Sequence, residues 1–258
     1  MVNQKKSIMI TGAASGIGKA TAVLFAARGW FVGLYDINDA LLKEVSGSIG
    51  EQGCCAKRLD VTNVDSVKSA IRHFTSHTGG KLDVLFNCAG ILQIGPYDSL
   101  TLEKHHQTID VNFKGIVNCA YEALPSLIST EDARMISMAS ASSLSGTPDL
   151  ASYSATKFAV RGLTEALNIE WEQYDIHVCD IMPLYVDTPM VRENPSPKSM
   201  RRLGVRLTPE KVAAVVWKAA NRKKIHWTVG IQIKFLYEIS GLLSENASKF
   251  IMKIVSGY

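Results

Sequence analysis

Tyr153 and Lys157 stand four residues apart in the stretch YSATK. A phenol titrates near 10 in water, so a tyrosine exchanges a proton with a carbonyl or alcohol oxygen near neutral pH only with assistance. A neighbouring cation favours the phenolate, and residues i and i+4 of an α-helix share one face. If the segment is helical, the pair is a proton-transfer group with its own charge partner. An inert exposed pair has the same spacing, so the rest of the chain must decide.

A second chemical motif is Thr11-Gly12-Ala13-Ala14-Ser15-Gly16-Ile17-Gly18, set between an apolar run, SIMIT, and a helical pattern. Glycines there allow a tight turn and let a pyrophosphate approach the amides of a helix N-terminus, where the macrodipole favours negative charge. Asp36 follows Gly18 by 18 residues at the end of the next apolar run, FVGLYD. A carboxylate in that place can accept hydrogen bonds from an adenosine ribose. Turn, helix and acid together predict a dinucleotide site.

The elements that must carry these groups alternate along the chain. SIMIT, FVGLYD, CCAKRLDV, LDVLFNCAG, RMISMAS and HVCDIMP read as buried strands, separated by helical patterns such as VDSVKSAIRHFTSH and YSATKFAVRGLTEALNIEWEQ. That alternation predicts an α/β fold, one doubly wound Rossmann-type domain over residues 1–258 with helices on both faces of a parallel sheet. Residues 189–207 are rich in proline and charge and read as a mobile substrate loop or short helices. A further helix starts at Thr208-Pro209-Glu210, followed by a last strand in KIHWTVG. Residues 231–258 form a helical extension with an apolar stripe of Phe235, Leu236, Ile239, Leu242, Leu243, Ala247, Phe250, Ile251 and Ile254. Gly241 interrupts it. Charges of both signs flank the stripe, so it is expected to be buried within the protein rather than in a bilayer.

The 258 residues are 47% hydrophobic, enough for a full core, which excludes a disordered chain. The five cysteines form no CxxC pair and no His/Cys cluster in sequence, so neither a metal site nor a disulfide framework is expected, and reduced thiols suit a cytoplasmic protein. The first apolar run is too short for a signal peptide or a membrane span. The net charge of +4 is uneven: residues 192–258 hold 13 Lys/Arg against 4 Asp/Glu, and the remainder 15 against 20. Such a basic end can face lipid, phosphate or nucleic acid, but an ordinary solvated surface is the simpler expectation, with no nucleic-acid partner and no stable membrane insertion.

The glycine spacing GxxxGxG resembles that of the short-chain dehydrogenase/reductase family, and four later motifs resemble the same family in order. They are Asp60-Val61, the NCAG segment Asn87-Cys88-Ala89-Gly90, Asn112 within IDVNFKG, and Ser140 placed 13 residues before Tyr153 of YSATK. The resemblance covers about residues 7 to 190 and implies an NAD(P)-dependent oxidoreductase. It implies a catalytic set of Asn112, Ser140, Tyr153 and Lys157. In that set Ser140 binds the substrate oxygen, Lys157 also holds the nicotinamide ribose, and Asn112 holds a water that links Lys157 to solvent.

The resemblance further implies a cofactor site of Gly12, Ser15, Gly16, Ile17, Gly18, Asp36, Ile37, Asp60, Val61, Asn87, Ala89, Gly90, Pro183, Val186 and Thr188, with Tyr153 and Lys157. Asp36 repels a 2′-phosphate and neither Ser15 nor Ile37 offers a cation to offset it, so NAD is the expected cofactor. Where the family has Pro-Gly this chain has Pro183-Leu184, so leucine must keep an ordinary backbone conformation or narrow the pocket. Leu92, Ile94, Ala141, Leu144, Leu184, Tyr185 and Met190 are the expected substrate walls. That lining predicts a small lipophilic alcohol or ketone, with a 3-oxoacyl thioester as the alternative and a non-catalytic NAD-binding scaffold as a third reading. The family resemblance also implies a homodimer or homotetramer.

Overall fold

The alternation of apolar runs and helical patterns folds as read. In the computed structural model, whose described residues are 5–194, 197–240 and 244–258, the first half holds β1 (Ser7–Thr11), α1 (Gly16–Ala27), β2 (Phe31–Asp36), α2 (Asp39–Ile49), β3 (Cys54–Arg58), α3 (Val64–His77) and β4 (Val84–Asn87). Next come α4 (Leu102–Ile109), a π-helical turn (Asp110–Lys114), α5 (Gly115–Ile128), β5 (Arg134–Met138), α6 (Ala151–Glu170) and β6 (His177–Pro183). The last part holds α7 (Pro189–Arg192), α8 (Lys198–Leu203), α9 (Pro209–Ala219), β7 (His226–Val229), α10 (Ile231–Ser240) and α11 (Glu245–Ser256).

All seven strands run parallel in the order β3-β2-β1-β4-β5-β6-β7. Side chains alternate across a strand, and β1 shows the result. Ile8 and Ile10 enter a core with Phe25 of α1, Leu42 of α2 and Val216 of α9, whereas Met9 packs on the other face with Phe74 of α3 and Leu127 of α5. Covered on both sides, the strands need continuous apolar runs, which is why SIMIT and VLFN carry no exposed polar alternation. Between β1 and its two neighbours, β2 and β4, the winding reverses, and a crevice opens beyond the carboxyl ends of the strands.

The stretch 189–207 contains the short helices α7 and α8; Pro195 and Ser196 lie outside the described residues. The C-terminal stripe departs from expectation. It is divided between α10 and α11, with Ser244 capping α11 by accepting from the Ala247 N–H, while Gly241, Leu242 and Leu243 lie outside the described residues. Leu236 and Ile251 line a cavity, but Phe235, Phe250 and Ile254 are exposed. A helix buries one face only, and this apolar set is wider than one face. Among the described residues no helix is long and apolar enough to cross a membrane.

Candidate active site

Tyr153 and Lys157 lie in the first two turns of α6, as their spacing requires. Lys157 is buried and donates from Nζ to the Met138 carbonyl oxygen at 2.7 Å, at the end of β5. Its Nζ stands 5.4 Å from the centroid of the Tyr153 ring. Ser140, two residues beyond β5, accepts from the Ser142 N–H at 3.2 Å and lines the same cavity as Tyr153, whose phenol its hydroxyl helps to acidify. Within its serine-rich neighbourhood, Ser140 is the serine whose hydroxyl bears on the Tyr153 phenol.

The electrostatics differ from the sequence expectation. Burial pushes the Tyr153 phenol up to about 12, partly offset by the Ser140 hydrogen bond, with the nearby Tyr185 phenol adding to the rise. Burial also lowers Lys157 to about 8. Desolvation of each group thus outweighs the mutual stabilisation that the i, i+4 spacing suggests.

Asn112 is fully buried in the π-helical turn between α4 and α5. Its Oδ1 accepts from the Ile91 N–H at 2.8 Å and its Nδ2 donates to the Ile91 carbonyl at 2.9 Å. π-Turns of this kind recur where a helix must re-aim a functional side chain. The side-chain amide is therefore engaged in fixing the segment after β4, a task additional to the water-holding expected of Asn112.

The glycine turn after β1 has the shape that a dinucleotide needs. Gly12 has φ +70, and a Cβ on it would lie 2.8 Å from the Ala89 backbone. A Cβ on Gly18 would collide with the Gly12 carbonyl oxygen. Ser15 caps α1 in extended conformation with its hydroxyl unused, and the first turn holds no acid. That leaves an N-terminus suited to phosphate. Asp36, ending β2, accepts from the Ala14 N–H at 3.1 Å and the Asn38 N–H at 3.0 Å, which leaves further lone pairs for a ribose. The residues present fit the dinucleotide.

Asp60 accepts from the backbone and hydroxyl of Thr62, Val61 is buried, and Ile37 is exposed. Gly90 packs on Asn112, where a Cβ would sit 3.2 Å from Oδ1. Ala89 donates to Thr11 Oγ1. Asn87 is buried within the sheet, donating to Ser137 Oγ, with its Oδ1 unpartnered among the described residues. The register sets Arg58 beside Asp36, a cation that linear spacing does not reveal.

A cavity of about 290 Å³ opens onto Ser140, Tyr153 and Lys157. Ile17, Gly90, Pro183, Val186 and Thr188 of the expected cofactor set line it, as do Leu92, Ala141, Leu144, Leu184, Tyr185 and Met190 of the expected substrate set. Ile94 is not part of the lining, because the chain after Leu92 turns away to Gly95, which hydrogen-bonds to the Asp149 carbonyl. Cys88 also lines it, as do Ile233 and Leu236 of α10 and Ile251, Met252 and Val255 of α11. Among the described residues, Lys157 is the one charged side chain in that lining. Leu184 keeps a negative φ and turns its side chain to the cavity, so it both adopts ordinary backbone geometry and narrows the space.

Away from the cavity, Cys55 of β3 comes together with His73 and His77 of α3, their ligand-type atoms within 4.8 Å of one another. The Tyr35 hydroxyl bonds His73 Nδ1 at 2.9 Å. This cluster is assembled by the fold and is invisible in the linear spacing of the cysteines.

Comparison with known proteins gives the same architecture. The short chain dehydrogenase family model matches residues 6–199. Oxidoreductase UcpA of Salmonella typhimurium is 33% identical over 85% of this chain and 82% of its own. Cyclohexanol dehydrogenase of an Acinetobacter species is 32% identical over 82% of this chain and 86% of its own. The crystal structure of 3-ketoacyl-(acyl-carrier-protein) reductase from Brucella melitensis complexed with NADH superimposes with a TM-score of 0.79 at 26% identity, covering 87% of this chain and 96% of that one. With its seven-stranded parallel sheet, its glycine turn and its Tyr153–Lys157 helix, the chain belongs to the short-chain dehydrogenase family.

Proposed function

We propose that this protein is an NAD-dependent oxidoreductase that interconverts a lipophilic secondary alcohol and its ketone. The observation that carries the reading is that Ser140, Tyr153 and Lys157 together line one largely apolar cavity, in which Lys157 is the charged side chain among the described residues. Bound NAD supplies the hydride acceptor, or NADH the donor. In the reducing direction the Tyr153 hydroxyl gives its proton to the substrate oxygen while Ser140 donates a hydrogen bond to the same oxygen. The buried Lys157 ammonium stabilises the phenolate left behind. In the oxidising direction the phenolate takes the alcohol proton. Asn112 holds the Ile91 segment in place beside this centre. The carboxylate of Asp36 favours NAD over its 2′-phosphorylated form.

The relatives that act on cyclohexanol and on 3-ketoacyl substrates are in accord with the two substrate classes weighed here. A 3-oxoacyl thioester is the second reading, favoured by exposed Arg201 and Arg202 on α8 next to Leu203, which lines the cavity. A homodimer or homotetramer is the proposed assembly, for which exposed Val117 and Tyr121 on α5 and Phe158 and Ile169 on α6 offer apolar surface. The test is a turnover screen of lipophilic alcohols, ketones and 3-oxoacyl thioesters followed by NADH absorbance. Turnover of thioesters alone would select the second reading. No turnover of any class, with NADH bound, would leave a cofactor-binding scaffold.

A further inference from the structure

The two C-terminal helices have opposite surroundings on their two sides. Inward, Ile233 and Leu236 of α10 and Ile251, Met252 and Val255 of α11 wall the cavity. Outward, each helix shows an apolar pair four residues apart, which therefore shares one face. On α10 these are Ile231 and Phe235, 89% and 64% exposed; on α11 they are Phe250 and Ile254, 65% and 53% exposed. The α11 pair, Phe250 and Ile254, forms an exposed apolar strip along one helix face.

Cations are interleaved with them. Lys234 adjoins Phe235, and Lys249 and Lys253 each precede a member of the α11 pair, all three exposed. On α10 and α11 alone, Glu238 and Glu245 nearly balance these lysines, and so the sequence reads as mixed in sign. Folding changes the balance, because α8 packs on α11 and brings exposed Lys198, Arg201 and Arg202 alongside it. Lys198 bonds the Gly257 carbonyl at 3.1 Å.

We propose that the outer face of α11, with α8 beside it, docks on an anionic lipid bilayer, with Phe250 and Ile254 at the boundary between headgroups and acyl chains and the basic groups at phosphate level. Lysine stems can lie along the apolar residues while their ammonium groups reach the phosphates. A twofold pairing of two copies through the same face would instead set basic surface against basic surface. Docking here places the cavity wall against the membrane, so a lipid-dissolved substrate would reach Tyr153 without crossing bulk water. That last consequence rests on the lipophilic-substrate reading; the docking does not.

The test is co-sedimentation of the full chain with vesicles of phosphatidylcholine, with and without phosphatidylglycerol. The protein is expected to pellet with the anionic vesicles at low salt and to be released at about 1 M salt, where charge is screened beyond about 3 Å. Phe250→Ser with Ile254→Ser should weaken partitioning at least about ten-fold per residue. Lys249→Gln with Lys253→Gln should weaken it about five-fold per lysine. NADH binding, read by fluorescence, should be unchanged in both variants, which shows that they fold.

Wild type that remains in the supernatant with anionic vesicles at low salt overturns the proposal. So does a fall in oligomer size of the serine variant in a wild type that does not pellet, which would make the face a subunit interface. Pelleting that neither set of substitutions changes also overturns it. Vesicle binding without turnover of any lipophilic compound would remove the substrate reading and leave the docking surface standing.

Discussion

Asn112 grips both sides of one residue: its amide accepts from the Ile91 N–H at 2.8 Å and donates to the Ile91 carbonyl at 2.9 Å. Ile91 and the next residue, Leu92, both line the cavity, so the grip fixes part of the cavity wall from the π-helical turn. Asn112→Ala should destabilise the protein by about 2 kcal/mol, since two partly buried backbone groups lose their partners. Turnover should fall roughly ten- to hundred-fold through misplacement. Denaturant midpoints and kcat measured together check this, and Asn112→Asp, which retains the acceptor alone, should fall between.

Tyr153→Phe removes the proton donor and should lower turnover by at least roughly 100-fold, the scale of acid/base loss. NADH affinity should persist. Turnover within a few-fold of wild type would rule out the assigned role.

With Asp36 present, NADH should bind more tightly than NADPH. Asp36→Ala should shrink the gap, helped by Arg58, which the sheet register places next to it. Fluorescence titration with the two cofactors decides. Equal affinities in the wild type would contradict the ribose-binding role.

Lys157 holds its proton less tightly when folded than when unfolded, about 8 against 10.5. Below about pH 8 it is charged in both states, and its burial penalty is fully present. As pH rises from about 8 to 10.5 the folded amine is neutral first, and the penalty fades. Stability relative to Lys157→Met should therefore rise across that window, by about 3 kcal/mol at the upper limit. Buried Cys55, Cys88 and Cys119 work in the opposite sense above about pH 9, because folding raises their pKa values. The comparison must be wild type against variant at each pH, read by chemical denaturation; a constant difference would refute it.

Leu184 lines the cavity with ordinary backbone geometry. Leu184→Gly should widen the space and lower KM for bulkier ketones several-fold, by analogy with pocket-methylene effects, while the pH profile set by Tyr153 remains. Steady-state kinetics on a series of graded bulk test it.

How much of this was legible in the sequence follows from how local each signal is. Tyr153 and Lys157 share a helix, so their juxtaposition follows from periodicity alone; the glycine turn and Asp36 are likewise set by adjacent elements. What burial does to that pair is not local. The partner of Lys157 is a carbonyl on β5, and the direction in which the Tyr153 pKa moves depends on how much water is excluded around it. Cys88 reaches the cavity and Ile94 does not because of the chain path after β4. The far wall comes from α10 and α11, which pack there only after the sheet has formed. Arg58 next to Asp36, and Cys55 next to His73 and His77, are products of strand and helix packing with no counterpart in linear spacing.

The position of β1 between β2 and β4 also sets an order of events during folding. Joining Ile8 to Val84 brings together residues 76 apart, and every other strand pairing is parallel and also non-local. Such non-local, parallel topology makes for slow folding. The glycine turn follows β1, and Lys157 reaches its partner only when α6 has packed against β5. We expect the two halves of the cofactor cleft, each dependent on packing between distant elements, to close only after the rate-limiting pairing of the strands. NADH should then lengthen the lifetime of the folded protein without hastening its formation: the unfolding arm of a denaturant chevron shifts down and the refolding arm does not move.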